Sequence, residues 1–189
     1  MWTVAIRGIE IGVVGLAVGA SFAVLVAEQV FASGAQILIS VTSAGQVAPL
    51  GPLPRLIVID RALRDEGTSA HYMPPDTWSS LDSSLLAKLE GSFDDLPEPV
   101  TVGSSWTTDA PYRETQAAIE TAQQLGGVCV EMEAAALYAF ATACNRTVVC
   151  LAHITNSMAA EGEDFEKGVD DGVHVTLAAA GAVAESLLR

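Results

Sequence analysis

Two glutamates flanking a methionine, Glu131, Met132 and Glu133, stand where an apolar segment gives way to a run of strong helix formers. Val128, Cys129 and Val130 have the character of a buried strand end, and Ala134 to Ala143 is helix-forming, with aromatic residues at Tyr138 and Phe140. The two carboxylates therefore sit at a strand-to-helix junction. A carboxylate at a helix N-terminus is favoured by about 0.3–1 kcal/mol, so either glutamate taken alone reads as a cap. The pair allows a second chemistry. An ionised carboxylate only accepts hydrogen bonds and takes paired bonds from vicinal sugar hydroxyls, while methionine offers a soft apolar floor. Spacing alone leaves both readings open.

The elements that must hold this junction alternate. Ile9 to Val14 reads as a strand, Ser21 to Ala32 as a helix closed by Gly34, and Gln36 to Val41 as a second strand. Such a unit crosses over right-handed into a mainly parallel sheet, and ligands collect at the carboxyl ends of its strands. Thr42, Ser43, Ala44 and Gly45 then form a tight turn at one such end. Leu56 to Ile59 is a third strand. Residues 73–99 carry Pro74, Pro75, Pro97 and Pro99 around a short helix from Ser80 to Glu90, an excursion or lid rather than sheet. Val100 to Ser104 resumes a strand, Glu114 to Leu125 is a helix ended by Gly126 and Gly127, Thr147 to Ile154 is the last strand, and Asp170 to Leu188 is a long Ala-rich helix. No repeat, low-complexity tract or second domain interrupts this α/β pattern, so one domain over residues 1–189 is expected.

Composition bounds the partners. The chain is 50% hydrophobic and only 17% charged, so much of its surface needs cover, and association into a homo-oligomer is the simplest source. A net charge of -14 with no basic stripe argues against nucleic acid. Any anion site must be local, built from backbone N–H groups and a few arginines. Cys129, Cys144 and Cys150 are an odd number, lack CxxC spacing and lie in apolar surroundings, as expected of buried thiols in a reducing, cytoplasmic setting. His71, His153 and His174 lack metal-ligand spacing, and no metal site is expected. The uncharged run over residues 11–27 is just long enough to span a bilayer. Its glycines at 12, 15 and 19 and its continuation into Glu28 and Gln29 favour a strand, a Gly-rich turn and a core helix, and Glu10 before the run disfavours a signal peptide. No membrane association is expected.

The segment VEMEAAALYAFA (residues 130–141) resembles the ribose-binding motif of the nucleoside phosphorylase superfamily, whose members cleave the N-glycosidic bond of purine or pyrimidine nucleosides. Further segments follow in the family's order: GLAVGASFAVLVAEQVFASGA (15–35), SVTSAGQV (40–47), IDRALRDEGTSAHY (59–72), GSSWTTDAPYRET (103–115) and HITNSM (153–158). The resemblance covers nearly the whole chain. It implies a three-layer α/β sandwich with a central mixed, mainly parallel sheet. It also implies a pentosyltransferase activity with inorganic phosphate as co-substrate and no further cofactor.

The resemblance assigns roles residue by residue. Ser43 and Gly45, by themselves a turn, match the family's Ser-x-Gly contact to phosphate and ribose. Asn156, by default bonded to its own backbone, matches the base-facing position, where an amide donates and accepts but supplies no proton of tunable pKa. The residues themselves add Tyr112 and Arg113: Tyr112, like Trp106, is by default a core aromatic, but the polar TTDAPYRET stretch interrupted by Pro111 makes it a base-stacking candidate and Arg113 a base- or anion-binding donor, with Asp109 as a turn cap. Glu133, helped by Glu131 and with Met132 beneath, holds the sugar and stabilises an oxocarbenium-like state. Arg61 and Arg64 with Asp60 and Asp65 read as surface pairs, His71 and Tyr72 as residues reaching a neighbouring subunit, and the acidic run Glu161 to Glu166 as a solvated loop.

Two departures stand out. Ser40 occupies the position where the family presents an arginine to phosphate, and the family's N-terminal strand and phosphate loop have no match before MWTVAIRGIEIGVVG. A charge-assisted bond to an anion contributes about 1.5–3 kcal/mol, so their loss would weaken phosphate binding by orders of magnitude. Phosphorolysis, a hydrolytic nucleosidase, and a truncated or non-catalytic nucleoside-binding chain all remain as readings, and the base and sugar are left open.

Overall fold

The computed structural model describes residues 1–157 and 169–188. In chain order it contains β1 (Trp2–Ile6), β2 (Ile9–Val13), α1 (Ala20–Ala32), β3 (Ile37–Gln46), β4 (Arg55–Asp65), β5 (Trp78–Ser80), α2 (Ser83–Lys88), β6 (Val100–Thr108), α3 (Gln116–Gln124), β7 (Gly127–Glu131), α4 (Ala134–Cys144), β8 (Thr147–Ser157) and α5 (Val173–Leu188). The acidic run Glu161 to Glu166 lies outside the described residues.

The fold is α/β with a mixed central sheet ordered β5-β4-β6-β7-β3-β8. Its two longest ladders, β3 with β8 and β4 with β6, are parallel, as is β6 with β7. The pairs β3–β7, β4–β5 and β4–β8 are antiparallel. The β4–β8 pairing joins the sheet to itself, so the middle layer is curled rather than open. Register shifts at Ala44/Gly45, Ile59/Ala62 and Ser104/Ser105 supply the local bending that closure needs.

Several elements differ from the sequence expectation. The strand beginning at Ile9 does not enter the central sheet. It pairs with β1 from Trp2↔Val13 to Ile6↔Ile9 around a two-residue turn, Arg7 (φ 50) and Gly8 (φ 77). Positive φ at both turn positions matches the strand twist of a tight hairpin, but an arginine there carries no turn signature. The Thr42 to Gly45 turn is strand as well. β3 continues to Gln46 because β8 pairs along it and β7 pairs with Gly45 and Gln46, so ladder bonds claim the backbone groups a turn would use. Within the excursion, Trp78–Ser80 adds an edge strand to β4, and the helix shortens to Ser83–Lys88, capped by Asp82 through the Ser84 N–H at 2.7 Å. β4 and β6 both run past the expected ends, through polar residues that find partners. Ser104 donates to Asp60 at 2.9 Å and accepts from Arg61, and Trp106 donates to Asp65 at 2.9 Å. Arg61 also stacks over Trp78, and Arg64 bonds Ser69 and the carbonyls of Met73 and Pro74, so Arg61 ties β4 to β6 and β5 while Arg64 ties it to the segment that follows, and among the described residues neither forms an Arg–Asp pair.

The core lies between the curled sheet and α1, α4 and α5. Phe140 of α4 meets Phe31 of α1 and Tyr72, each with ring centroids 5.8 Å apart, and Tyr72 donates to Glu28 within its own chain. Cys129 and Cys150 are buried, but Cys144, at the solvent end of α4, is exposed, contrary to expectation. Among the described residues no helix is long and apolar enough to cross a membrane, and residues 11–27 divide between β2, a loop and α1.

Tyr138 is fully buried on α4, and its hydroxyl donates to the Ile59 carbonyl beside the β4 bulge while accepting from the Cys150 N–H at 3.1 Å. Tyr138→Phe leaves both backbone groups unpaired in the core. It is expected to cost about 1–3 kcal/mol, read as a lowered urea midpoint at unchanged m-value.

Candidate active site

Four strand ends converge where α4 begins. Gly45 of β3 pairs with Val130 of β7 on one side and with Asn156 of β8 on the other, and Thr107 of β6 lies opposite Glu131. The corner thus gathers Gly45, Thr107 and the Glu131–Glu133 segment from distant parts of the chain. Asn156 enters through its backbone only, and its side chain lies outside the described residues.

The two glutamates take different positions. Glu131 is buried, with both oxygens occupied. Oε1 accepts from the hydroxyls of Ser105, at 3.0 Å, and Thr107, while Oε2 accepts from the Glu133 and Ala134 N–H groups at 2.7 Å each. Burial pushes its pKa from the usual 4.5 up to about 7, against the lowering effect of the Thr107 and backbone hydrogen bonds. Thr107 also accepts from the Ala135 N–H at 3.0 Å, so the first amides of α4 are satisfied by Glu131 and β6. Glu133, formally the N-cap residue, makes no side-chain cap bond. Its Oε1 accepts instead from the Gly19 N–H at 2.7 Å, at the start of α1, and Oε2 has a longer contact, 3.3 Å, from the Met132 N–H. The cap and the second carboxylate are therefore separate residues, and Met132 lies half-buried between them.

The other sequence candidates are placed less centrally. Gly45 is buried in the corner, whereas Ser43 is an exposed strand residue on β3. Tyr112 and Arg113 form a short 3-10 turn, Pro111–Arg113, after β6, with Tyr112 fully exposed and Arg113 exposed beside it. A ring left wholly to solvent packs against nothing within the chain, and neither residue takes part in the hydrogen bonds that build the Glu131–Glu133 corner. Asp109 accepts from the Gly67 N–H at 2.9 Å and ties the loops after β4 and β6. Ser40 is half-buried on β3 opposite Cys150. Sequence reasoning missed Gly19, Ser105 and Thr107. The hydroxyls at Ser105 and Thr107 recur with the two-residue period of one strand face, which is the signal that could have found them.

A cavity of about 490 Å³ lies elsewhere, between α2 and the first residues of β6, lined by Leu86, Leu89, Phe93 and Val100. It shares no residue with the corner. Among the described residues no three His, Cys, Asp or Glu side chains are grouped to hold a metal ion.

Comparison with known proteins agrees with the motif. The guanosine phosphorylase of Halorubrum lacusprofundi is 24% identical over 134 residues, which cover 71% of this chain and 56% of that relative. The sequence pattern of the phosphorylase superfamily matches residues 2–189. With the strand-to-helix glutamate corner seated on a mixed central sheet and that match running from end to end, the chain belongs to the phosphorylase superfamily.

Proposed function

We propose that the chain cleaves the N-glycosidic bond of a nucleoside with inorganic phosphate, giving free base and sugar 1-phosphate. The observation that carries this reading is Glu133, a buried carboxylate at a confluence of strand ends that is relieved of helix capping by Glu131 and Thr107. A carboxylate so held is available to sugar hydroxyls and to positive charge developing on the ring. A phosphate oxygen bonds to the anomeric carbon as the bond to the base nitrogen breaks. The base leaves with the electron pair and takes a proton from solvent. Ser43 and Gly45 serve phosphate, Met132 packs under the sugar, and Asn156, Tyr112 and Arg113 serve the base. Glu131 contributes by positioning. The guanosine phosphorylase relative makes guanosine the first substrate to try.

Ser40, uncharged where the family presents an arginine, favours a second reading in which water replaces phosphate. Product analysis with purine and pyrimidine nucleosides, each with and without phosphate, separates the two. Phosphate-dependent sugar 1-phosphate supports phosphorolysis, and free sugar in both conditions supports a nucleosidase. Absence of any base release would refute both.

The same proposal includes association of copies in the cytoplasm. Leu16 (91% exposed), Val18, Phe22 and Leu25 leave an apolar strip along the loop before α1 and the start of that helix. Light scattering is expected to give more than one chain per particle, and a monomer would count against this surface as an interface.

A further inference from the structure

The corner depends on a residue that the reaction itself does not require. We propose that Thr107 is a positioning residue for Glu133, acting through Glu131, with Ser105 as its auxiliary. The inference rests on the reading of Glu133 as the sugar carboxylate.

Thr107 Oγ accepts from the Ala135 N–H, so its single hydroxyl proton is directed to Glu131 Oε1. Ser105 donates to the same oxygen at 3.0 Å. With Oε1 anchored on β6, Oε2 faces the first turn of α4 and accepts from the Glu133 and Ala134 N–H groups, both at 2.7 Å. These bonds run from Ala135 through Thr107 and Glu131 back to Glu133. They fix the backbone of Glu133, the residue that leads into α4, at φ -131 and ψ -39. From that backbone the Glu133 side chain points away from its own helix to the Gly19 N–H. An N-cap side chain ordinarily turns back onto the second or third helical amide. Here the Ala135 amide, second in α4, is already taken by Thr107. Removing the Thr107 hydroxyl frees that amide inside a buried corner, and one of the two carboxylates must turn back to it. Either movement shifts Glu133 from its place over the sugar.

The test compares Thr107→Val, Thr107→Ser, Ser105→Ala and Glu133→Gln in nucleoside turnover across about pH 5–9, with thermal unfolding as the check on folding. Thr107→Val is expected to lower kcat about 10–100-fold and to move the acidic limb of the pH profile upward, because Glu131 loses a donor to its charged form. Thr107→Ser restores both, and Ser105→Ala shows the same changes more weakly. Wild-type kcat and pH profile in Thr107→Val, with Glu133→Gln inactive, would overturn the role of Thr107 and leave the sugar reading standing. If Thr107→Val does not fold, an unchanged kcat and pH profile in Ser105→Ala overturns it. Normal turnover in Glu133→Gln, or none in the wild-type chain, removes the sugar reading and this inference together.

Discussion

Replacing Glu133 by alanine is expected to lower nucleoside turnover by about 10²–10³-fold while the fold persists. The magnitude is that of losing one preorganised electrostatic contact to charge that develops in the transition state. The fold persists because Glu133 does not cap α4: Glu131 and Thr107 hold its first amides. The groups that lose a partner are the Gly19 N–H and, through a longer 3.3 Å contact, the Met132 N–H, and both are only partly buried and within reach of water. Glu133→Gln keeps an acceptor for Gly19 but removes the charge, so it separates the structural contact from the catalytic one. Turnover and thermal unfolding of both variants decide the matter. If Glu133→Ala turns over nucleoside at near wild-type rate, the sugar site lies elsewhere.

Stability is expected to fall as pH rises through the range in which Glu131 ionises. Four donors aimed at its oxygens favour the charged form, yet desolvation outweighs them and holds the pKa near 7, above the usual 4.5. The folded state therefore binds this proton more tightly than the unfolded chain does. The contribution is fully present below about pH 4.5, declines above that, and is lost once pH passes about 7, a change of roughly 3 kcal/mol. Glu131→Gln removes the titration while keeping the shape. Its amide oxygen can face the α4 N–H groups and its NH2 the oxygens of Ser105 and Thr107. Urea midpoints of the two proteins, measured at steps between about pH 4.5 and 8, should converge or cross as pH changes. Parallel curves would mean that Glu131 keeps an ordinary pKa in the fold.

Periodicity and helix propensity located α1, α3 and α4 to within about two residues, because each is a run of helix formers bounded by glycine, asparagine or a capping residue. The strand cores at Ile37–Val41, Leu56–Ile59, Val100–Ser104 and Thr147–Ile154 were equally legible as β-branched apolar runs. What was not legible is where those strands stop. Gly45 and Thr107 look like turn or loop residues in isolation, and they are strand residues because partners on both flanks take their backbone groups. Closure of the sheet through β4 and β8 had no local sign either, since it joins segments about a hundred residues apart.

The sequence by itself determined that two carboxylates and a methionine occupy a strand-to-helix junction, in segments ordered as in the phosphorylase superfamily. It left open whether either glutamate is a cap. Only the tertiary structure decided that Glu131 takes that task and Glu133 is spared it. The reason is register: pairing of β6 with β7 sets Thr107 opposite Glu131, 24 residues away along the chain, and that hydroxyl completes the cap. The exposure of the Tyr112 ring is likewise set by the tertiary structure, since the turn after β6 carries it into solvent. Which side chain meets which at this corner follows from long-range pairing, and pairing is a property of the folded sheet rather than of any local stretch of sequence.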